Sequence, residues 1–570
     1  MLKLIDLLQF LQQFLRQYTR QHTRQHIRQR ALSSPVTIAL TALLLTQAST
    51  ISASDCSPTT AATIDLTPAI NGWGINRRNH RFIAEQDAGI SKAALDKLKI
   101  KWVFAMPNTK TPHSQPLITS NTVYIGDEPG VVYALDRETG CEKWRFDAEN
   151  TVRTAIRLVN YRDTNGESER LLSFGTAGGE VFGIDPISGQ QRWRIVADSH
   201  SKTMVSGSSI DHNGIIYQPV SSWEAFYAMN PFYGCCTFRS SLIALQPSNG
   251  EILWRAYMIE EAAAVTKKRL LLPDMRGPSG APVWSQPTLD VSRNRIYVGT
   301  GENYSSPATD TSDAIIAFDL NTGEMLWHQQ FLASDAWNVS CEVLVETNCP
   351  KERGVDLDFG APPILARVAN RDYILAGQKN GAVYALDPDN GGELIWSHKP
   401  GTGGKLGGVH FSMAVDQQRG VLYVPISDRP VKALGDNPAG TPNPSLHAFD
   451  IKTGETLWAT PAPDVCINDK GKQVKGCYPG LSAAITATEN LVFAPSLDGH
   501  VRVFDAHSGA HIWAFDTRQR FASVNGKDAK GGAIDLGGVY LDDGQLFITS
   551  GYGVFDQKPG NAFIVMEVSE

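Results

Sequence analysis

Val132–Trp144 reads VYALDRETGCEKW: an apolar strand, an aspartate, a turn with glycine, and a second strand ending on tryptophan. The pattern returns as VFGIDPISGQQRW (Val181–Trp193), LIALQPSNGEILW (Leu242–Trp254), IIAFDLNTGEMLW (Ile315–Trp327), VYALDPDNGGELIW (Val383–Trp396), LHAFDIKTGETLW (Leu446–Trp458) and VRVFDAHSGAHIW (Val501–Trp513). In six of the seven the Asp-position residue precedes the Trp by eight residues and in the fifth by nine, so each reads as a hairpin whose glycine supplies positive φ. Motif glycines lie 49 to 73 residues apart, room for one four-stranded sheet with its loops. Sheets repeated at this period predict an all-β fold, a β-propeller. Lys99–Phe104 (KIKWVF) looks like the Trp half of a motif, and Ala562–Val568 (AFIVMEV) like a front half. Pairing these N- and C-terminal strands closes a ring of eight blades and removes two exposed edges. The alternative is a seven-bladed ring with loose ends.

Composition narrows the class. With 42% hydrophobic and 19% charged residues, 50 Gly and 31 Pro, the chain is turn-rich and globular, which excludes disorder, collagen and a multispan membrane protein. A formal charge of −7 leaves no basic footprint for nucleic acid. Residues 1–54 have the order of a secretory signal peptide with a long basic n-region: Arg16, Arg20, Arg24 and Arg28, the apolar run Val36–Leu45, then small residues Ser49–Ser54. A mis-assigned start codon is the other reading of that n-region. The apolar run is about half a bilayer span, so no transmembrane segment is expected. The leader holds six basic residues and one acidic one, so its removal takes the charge from −7 to −12. All eight cysteines lie beyond it, in keeping with an oxidising compartment, the periplasm. The pairs 341/349 and 466/477 are close enough to staple loops, and Cys235 and Cys236 are adjacent. No CxxCH marks a c-type haem, no spacing marks zinc, and no GxGxxG marks a nicotinamide. The expected organisation is leader 1–54, an extension 55–98, and one propeller over 99–570.

The repeat resembles the tryptophan-docking motif of propellers that bind pyrroloquinoline quinone (PQQ), a motif also found in non-enzymatic outer-membrane assembly propellers. Gly280–Tyr304 (GAPVWSQPTLDVSRNRIYVGTGENY) and Ala376–Asp387 (AGQKNGAVYALD) are similar to more specific segments of the quinoprotein alcohol dehydrogenases. Within that family the chain most resembles the polyvinyl alcohol dehydrogenases, through Tyr233–Leu245 (YGCCTFRSSLIAL), Ser334–Cys341 (SDAWNVSC), Val355–Leu365 (VDLDFGAPPIL) and Ser550–Asn561 (SGYGVFDQKPGN). The resemblance covers about residues 70 to 570.

Oxidising an alcohol with a quinone needs a Lewis acid, a base for the hydroxyl proton and an aromatic clamp for the flat cofactor. The resemblance implies PQQ and Ca²⁺, with Trp284 as the floor under the cofactor and Lys379 at the quinone oxygens. An amine in the apolar surroundings of Lys379 also needs an anionic partner on its own account. Arg153 resembles the family's cofactor-contacting arginine, and Thr203 with Ser206–Ser208 the polar strand at the cofactor edge. The pair Cys235–Cys236 resembles the adjacent-cysteine disulfide of the family, which would face Trp284 across the cofactor. Implied calcium ligands are Glu224, either Glu302 or Asn303 with Asn303 slightly favoured, and Asp356. VDLDFG makes Asp356 the base and Asp358 an auxiliary carboxylate, or, aligned through DFG, Asp358 the base. A third register puts Asn338 there, and an amide cannot take the proton. The family often carries a fused cytochrome c domain; this chain has none, so a separate soluble cytochrome c is the expected acceptor. The implied activity is oxidation of alcohols, such as the secondary alcohols of polyvinyl alcohol, to ketones or aldehydes. The alternatives are a non-catalytic propeller scaffold, or the same chemistry on small alcohols or sugars.

Overall fold

The computed structural model describes Cys56 and residues 63–163, 165–431, 435–436 and 440–569. The leader expected over 1–54 lies outside them.

Eight antiparallel sheets follow one another along the chain, each beginning at the central axis and ending at the rim. Blade one shows the logic: Leu117–Thr119 and Thr122–Gly126 are wholly buried, Val131–Asp136 is buried except at its ends, and Glu142–Asp147 reaches solvent. The seven motifs are the third and fourth strands of blades one to seven. Blade eight is the split one. Leu98–Ala105 pairs with Ala562–Val568 from Leu98↔Val568 to Ala105↔Ala562, beside Gln545–Ser550 and Val539–Asp542. The ring is therefore eight-bladed and closed by its two ends.

The motif tryptophan latches each blade to the next. A Cβ on Gly189 would lie 2.7 Å from the Trp144 ring, one on Gly250 2.8 Å from Trp193, and one on Gly323 2.5 Å from Trp254. These glycines also have φ near +70°, so both the contact and the turn demand glycine. Trp102 of blade eight closes in the same way on Gly140, and Trp327, Trp396 and Trp458 on Gly392, Gly454 and Gly509. Seven joints are latched. The eighth is not, because the third and fourth strands of blade eight come from opposite ends of the chain and no motif turn faces Trp513.

The described residues 63–98 of the extension are woven into the ring rather than leading up to it. Pro68–Ile70 adds a strand to the inner edge of blade one. Asn71 exchanges bonds with the backbone of Leu158 in blade two, at 2.8 and 2.9 Å. Arg77 meets Asp211 of blade three and accepts through its carbonyl from Leu289 N of blade four. The carbonyl of Arg78 accepts from Leu365 N of blade five, and that of His80 from Val415 N of blade six. Arg81, 0% exposed, donates to Ile485 O (2.6 Å) and Thr486 Oγ1 (2.9 Å) of blade seven and to Val539 O (3.0 Å) of blade eight. This segment crosses the axis as a plug that touches every blade.

Four disulfides, 56–141, 235–236, 341–349 and 466–477, use all the cysteines. Among the described residues no helix is long and apolar enough to cross a membrane.

Candidate active site

The site is built from loops that enter first strands and loops that join second to third strands of blades four and five. Asp356 and Asp358 precede the first strand of blade five, Ile364–Val368, and Lys379 follows its second, Arg371–Gly377. Glu302 follows the second strand of blade four, Arg295–Gly299, and Trp284 precedes its first, Thr288–Asp290.

These five side chains meet. Lys379 Nζ lies 2.5 Å from Asp356 Oδ1 and 3.1 Å from Asp358 Oδ2. Trp284 Nε1 donates to Asp358 Oδ2 at 3.1 Å, and the Glu302 amide to Asp358 Oδ1 at 3.2 Å. One oxygen each from Glu302, Asp356 and Asp358 falls within 4.8 Å of the others, the arrangement that holds a metal ion. Burial separates their proton affinities. It pushes Asp356 up to about 7 against the pull of Lys379, and, with the charges of Asp358 and Asp356, pushes Glu302 well above the usual range. Asp358 is also buried, yet Lys379 and its bonds to Glu302 hold it below the usual range. Burial works against the Lys379 ammonium, but Asp356 and Asp358 keep it firmly protonated.

Asp335 sets the loop. Its carboxylate accepts the amides of Val355 (3.0 Å), Asp356 and Leu357 (both 3.4 Å), holding Asp356 at φ +59°. A second buried lysine flanks it: Lys405 Nζ donates to Val355 O at 3.0 Å and lies 4.4 Å from the Trp337 ring. Trp337 in turn donates to Glu342 Oε1 at 2.9 Å. Asn338 caps the loop, bonded to Ser340 N, Tyr304 O and Asn348 O, and does not join the acidic group.

The floor is Trp284, half-buried, with His410 at 5.8 Å and Phe411 at 5.7 Å edge-on to its ring. Trp73 of the plug packs on Phe411, 6.3 Å away. Gly360 passes so close that a Cβ would sit 2.1 Å from the indole, which only glycine allows.

One arginine stands near His410, apart from the acidic group. Arg153 makes no hydrogen bond among the described residues, and its buried Nε has no partner. Burial weakens its hold on the proton, offset by Tyr552 and Asp535. Burial keeps His113 and His410 neutral, and it pushes Asp535 up to about 7. His410 Nδ1 bonds Ser482 Oγ at 2.7 Å.

Other residues named from the sequence are engaged in bonds of their own. Asn303 is locked into its own loop, accepting from Thr309 N (2.7 Å) and donating to Ser279 O (3.1 Å). Glu224 accepts from Thr237 N (2.8 Å), Phe238 N (2.7 Å) and Tyr233 Oη (2.9 Å), so it braces the loop around the cysteine pair. Thr203 Oγ1 closes a turn on His200 O at 2.6 Å. Ser206 bonds Ser221 Oγ, and Ser208 Oγ receives Ala155 N. Cys235 and Cys236 are bonded to each other but only 1% and 0% exposed, packed with Ala228, Phe238 and Tyr304.

His410, Lys405, Asp335, Asp535 and His113 were not singled out from the sequence. The glycine-rich run around Lys405 and His410, GTGGKLGGVHF, was the one available signal, since clustered glycines mark close backbone approach.

The acidic group suits a hard cation, because Glu302 Oε2 is buried without a partner and one ammonium does not balance three carboxylates. The unbonded Arg153 and the half-open face of Trp284 suit a flat anionic cofactor.

The comparisons agree. The family model for the β-propeller domain of glucose, ethanol and alcohol dehydrogenases matches residues 258–399, and that for the outer membrane protein assembly factor BamB matches 79–222 and 379–549. A polyvinylalcohol dehydrogenase of Pseudomonas sp. is 34% identical, over 87% of this chain and 76% of its own. Another, from Sphingopyxis sp. strain 113P3, is 34% identical, over 86% and 73%. The crystal structure of quinohemoprotein alcohol dehydrogenase from Comamonas testosteroni superposes with a TM-score of 0.62 at 18% identity, covering 87% of this chain and 80% of that one, a likeness of fold. The chain therefore belongs to the polyvinyl alcohol dehydrogenase group of the PQQ-dependent quinoprotein alcohol dehydrogenases and is an oxidoreductase acting on CH–OH.

Proposed function

We propose that this enzyme oxidises the secondary alcohols of a polyvinyl alcohol-like polymer, using PQQ and one calcium ion in the periplasm, and passes the electrons to a separate soluble cytochrome c. The observation that carries the chemistry is the meeting of Glu302, Asp356, Asp358 and Lys379 beside the face of Trp284. The polymer is proposed because the two relatives at 34% identity are named for it. Four disulfides with no free cysteine support the compartment.

In this reading Glu302 and Asp358 would hold the ion, Trp284 would support the cofactor ring, and Arg153 would meet its negative charge. PQQ, when bound, would supply an electrophilic two-electron acceptor. Asp356 takes the hydroxyl proton: bound beside a cation it stays ionised, and Lys379 Nζ fixes its Oδ1. Lys379 also lies 5.8 Å from the Trp284 ring, where its charge favours electron density arriving on the acceptor. The plug beneath Trp284 and Phe411 keeps water from the underside of the site.

The third carboxylate favours a second reading for the ion, a trivalent lanthanide. A europium-containing methanol dehydrogenase shares the fold, with a TM-score of 0.59 at 15% identity over 87% of this chain and 98% of that one.

The test is to reconstitute the purified protein with PQQ and Ca²⁺ or Eu³⁺ and follow dye-linked oxidation across polyvinyl alcohol, small secondary alcohols and sugars. PQQ binding without oxidation of any of them would favour the scaffold reading.

A further inference from the structure

Five large apolar side chains stand beside the mouth of the site with little over them. Phe232, Leu270, Leu271, Leu344 and Val345 are 67% to 96% exposed. Isolated exposed leucines mean nothing, but these sit at the tips of neighbouring loops that are fastened together. Asn348 Nδ2 donates to the carbonyls of Ala228 (2.9 Å), Asn230 (3.0 Å) and Tyr233 (3.3 Å), joining the loop of Leu344 and Val345 to that of Phe232. Arg269 Nη1 donates to Thr347 O at 2.9 Å, joining the loop of Leu270 and Leu271 to the same place. The Cys341–Cys349 bond closes the middle loop. The tips are thus presented as one surface.

That surface runs into the site. The loop carrying Leu344 and Val345 starts at Asp335, whose carboxylate holds the amides of Val355, Asp356 and Leu357, and it supplies Trp337 to Lys405. Val355, 51% exposed, lies next to Asp356 in the chain.

An alcohol small enough to sit between Asp356 and Trp284 leaves these tips untouched. The same loops also expose Lys267, Lys268 and the Arg353–Glu346 pair, so an ion-paired protein partner is the rival occupant, but the five outermost side chains are hydrocarbon. A neutral chain of –CH₂–CHOH– units has hydrocarbon along its whole length and no charge, and only a unit or two can occupy the site at once. We propose that the rim of Phe232, Leu270, Leu271, Leu344 and Val345 is a track for several units of an uncharged secondary-alcohol polymer, feeding one carbinol at a time to Asp356. This rests on the alcohol-oxidising reading of the site.

The test is a Leu270→Ser, Leu271→Ser, Leu344→Ser, Val345→Ser variant. With PQQ and metal supplied, its KM for polyvinyl alcohol should rise about tenfold or more, given the apolar area removed, while kcat and KM for 4-heptanol stay within about twofold. Separately, fluorescein-labelled polyvinyl alcohol should gain anisotropy on the wild-type protein without PQQ and lose most of that gain with the variant. This binding arm reports on the rim even if no alcohol is oxidised, in which case the reading of the site has failed and not the track. Equal effects on polymer and 4-heptanol, or unchanged polymer binding and KM, overturn the proposal. Unchanged polymer kinetics with slower reduction of cytochrome c than of a dye overturn it in favour of a docking surface for the acceptor.

Discussion

Asp356→Asn isolates the base from everything else Asp356 does. The residue sits at φ +59°, in the left-handed region that asparagine tolerates better than other non-glycine residues, so the backbone should keep its path. The retained Oδ1 still accepts from Lys379 Nζ, now 2.5 Å away, and the bonds from Asp335 to the loop amides are unaffected. What disappears is the charge and the basicity. General-base catalysis is worth about 10²- to 10⁴-fold, which at about 1.36 kcal/mol per decade is roughly 3 to 5 kcal/mol of barrier. We expect kcat in the dye-linked assay to drop by that factor, with PQQ content after gel filtration near that of wild type. Asp358→Asn should behave differently, since Asp358 anchors Trp284 Nε1, the Glu302 amide and Lys379. Its main effect should be loss of metal and PQQ. The reverse pattern would assign the base to Asp358, and PQQ-loaded Asp356→Asn within tenfold of wild type would refute the assignment of Asp356.

Three further outcomes follow from the geometry. Gly323→Ala forces a Cβ to 2.5 Å from the Trp254 ring at φ +74° and should cost about 1 to 3 kcal/mol; with about 2.1 cal/mol/K of unfolding entropy per residue, roughly 1 kcal/mol/K for this chain, the calorimetric Tm should fall by about 1 to 3 °C. A Tm unchanged or raised would leave the latch without energetic content. Burial pushes Asp535 up to about 7 from its ordinary 3.8. Between those values the folded protein holds a proton that the unfolded chain releases, so stability should fall as pH rises through that window by about 1.4 kcal/mol per unit, and Asp535→Asn should flatten the Tm profile. Parallel profiles for the two proteins would count against it. Burial and the neighbouring carboxylates push Glu302 well above the usual range and burial pushes Asp356 up to about 7, so titrating metal-free protein with Ca²⁺ near pH 6 should release protons from both, measurable with an indicator dye, and fewer from Glu302→Gln; no release in wild type, or the same release in Glu302→Gln, would exclude Glu302 as a ligand.

The ring could be read from the sequence because the latch is local. Strand, glycine turn and tryptophan fall within one hairpin, and even the split blade left its two halves recognisable in KIKWVF and AFIVMEV. Trp284, Glu302, Asp356, Asp358 and Lys379 were named because each sits in a segment with family-like neighbours. The choice between Glu302 and Asn303 was not readable, since neighbouring residues at a strand start point to opposite sides and only the packed loop decides which turns toward Asp358. The fate of Glu224 depended on the amides of Thr237 and Phe238, thirteen and fourteen residues away, across an insertion of uncertain register. Residues 68–83 gave no signal, because successive parts of the segment bond successive blades and so no periodicity arises.

Arg81 has a place in time as well as in space. It bridges blades seven and eight, the one joint that lacks a tryptophan latch, through bonds to residues 404 to 459 positions further along the chain. Contacts of that contact order are among the slowest to form. A nascent chain presents Arg81 before any blade exists, and apart from Trp73 O the groups that satisfy its guanidinium emerge almost last. The plug can pair its start with blades one and two early, through Pro68–Ile70 and Asn71, but Arg81 is fully bonded only when the last blades arrive.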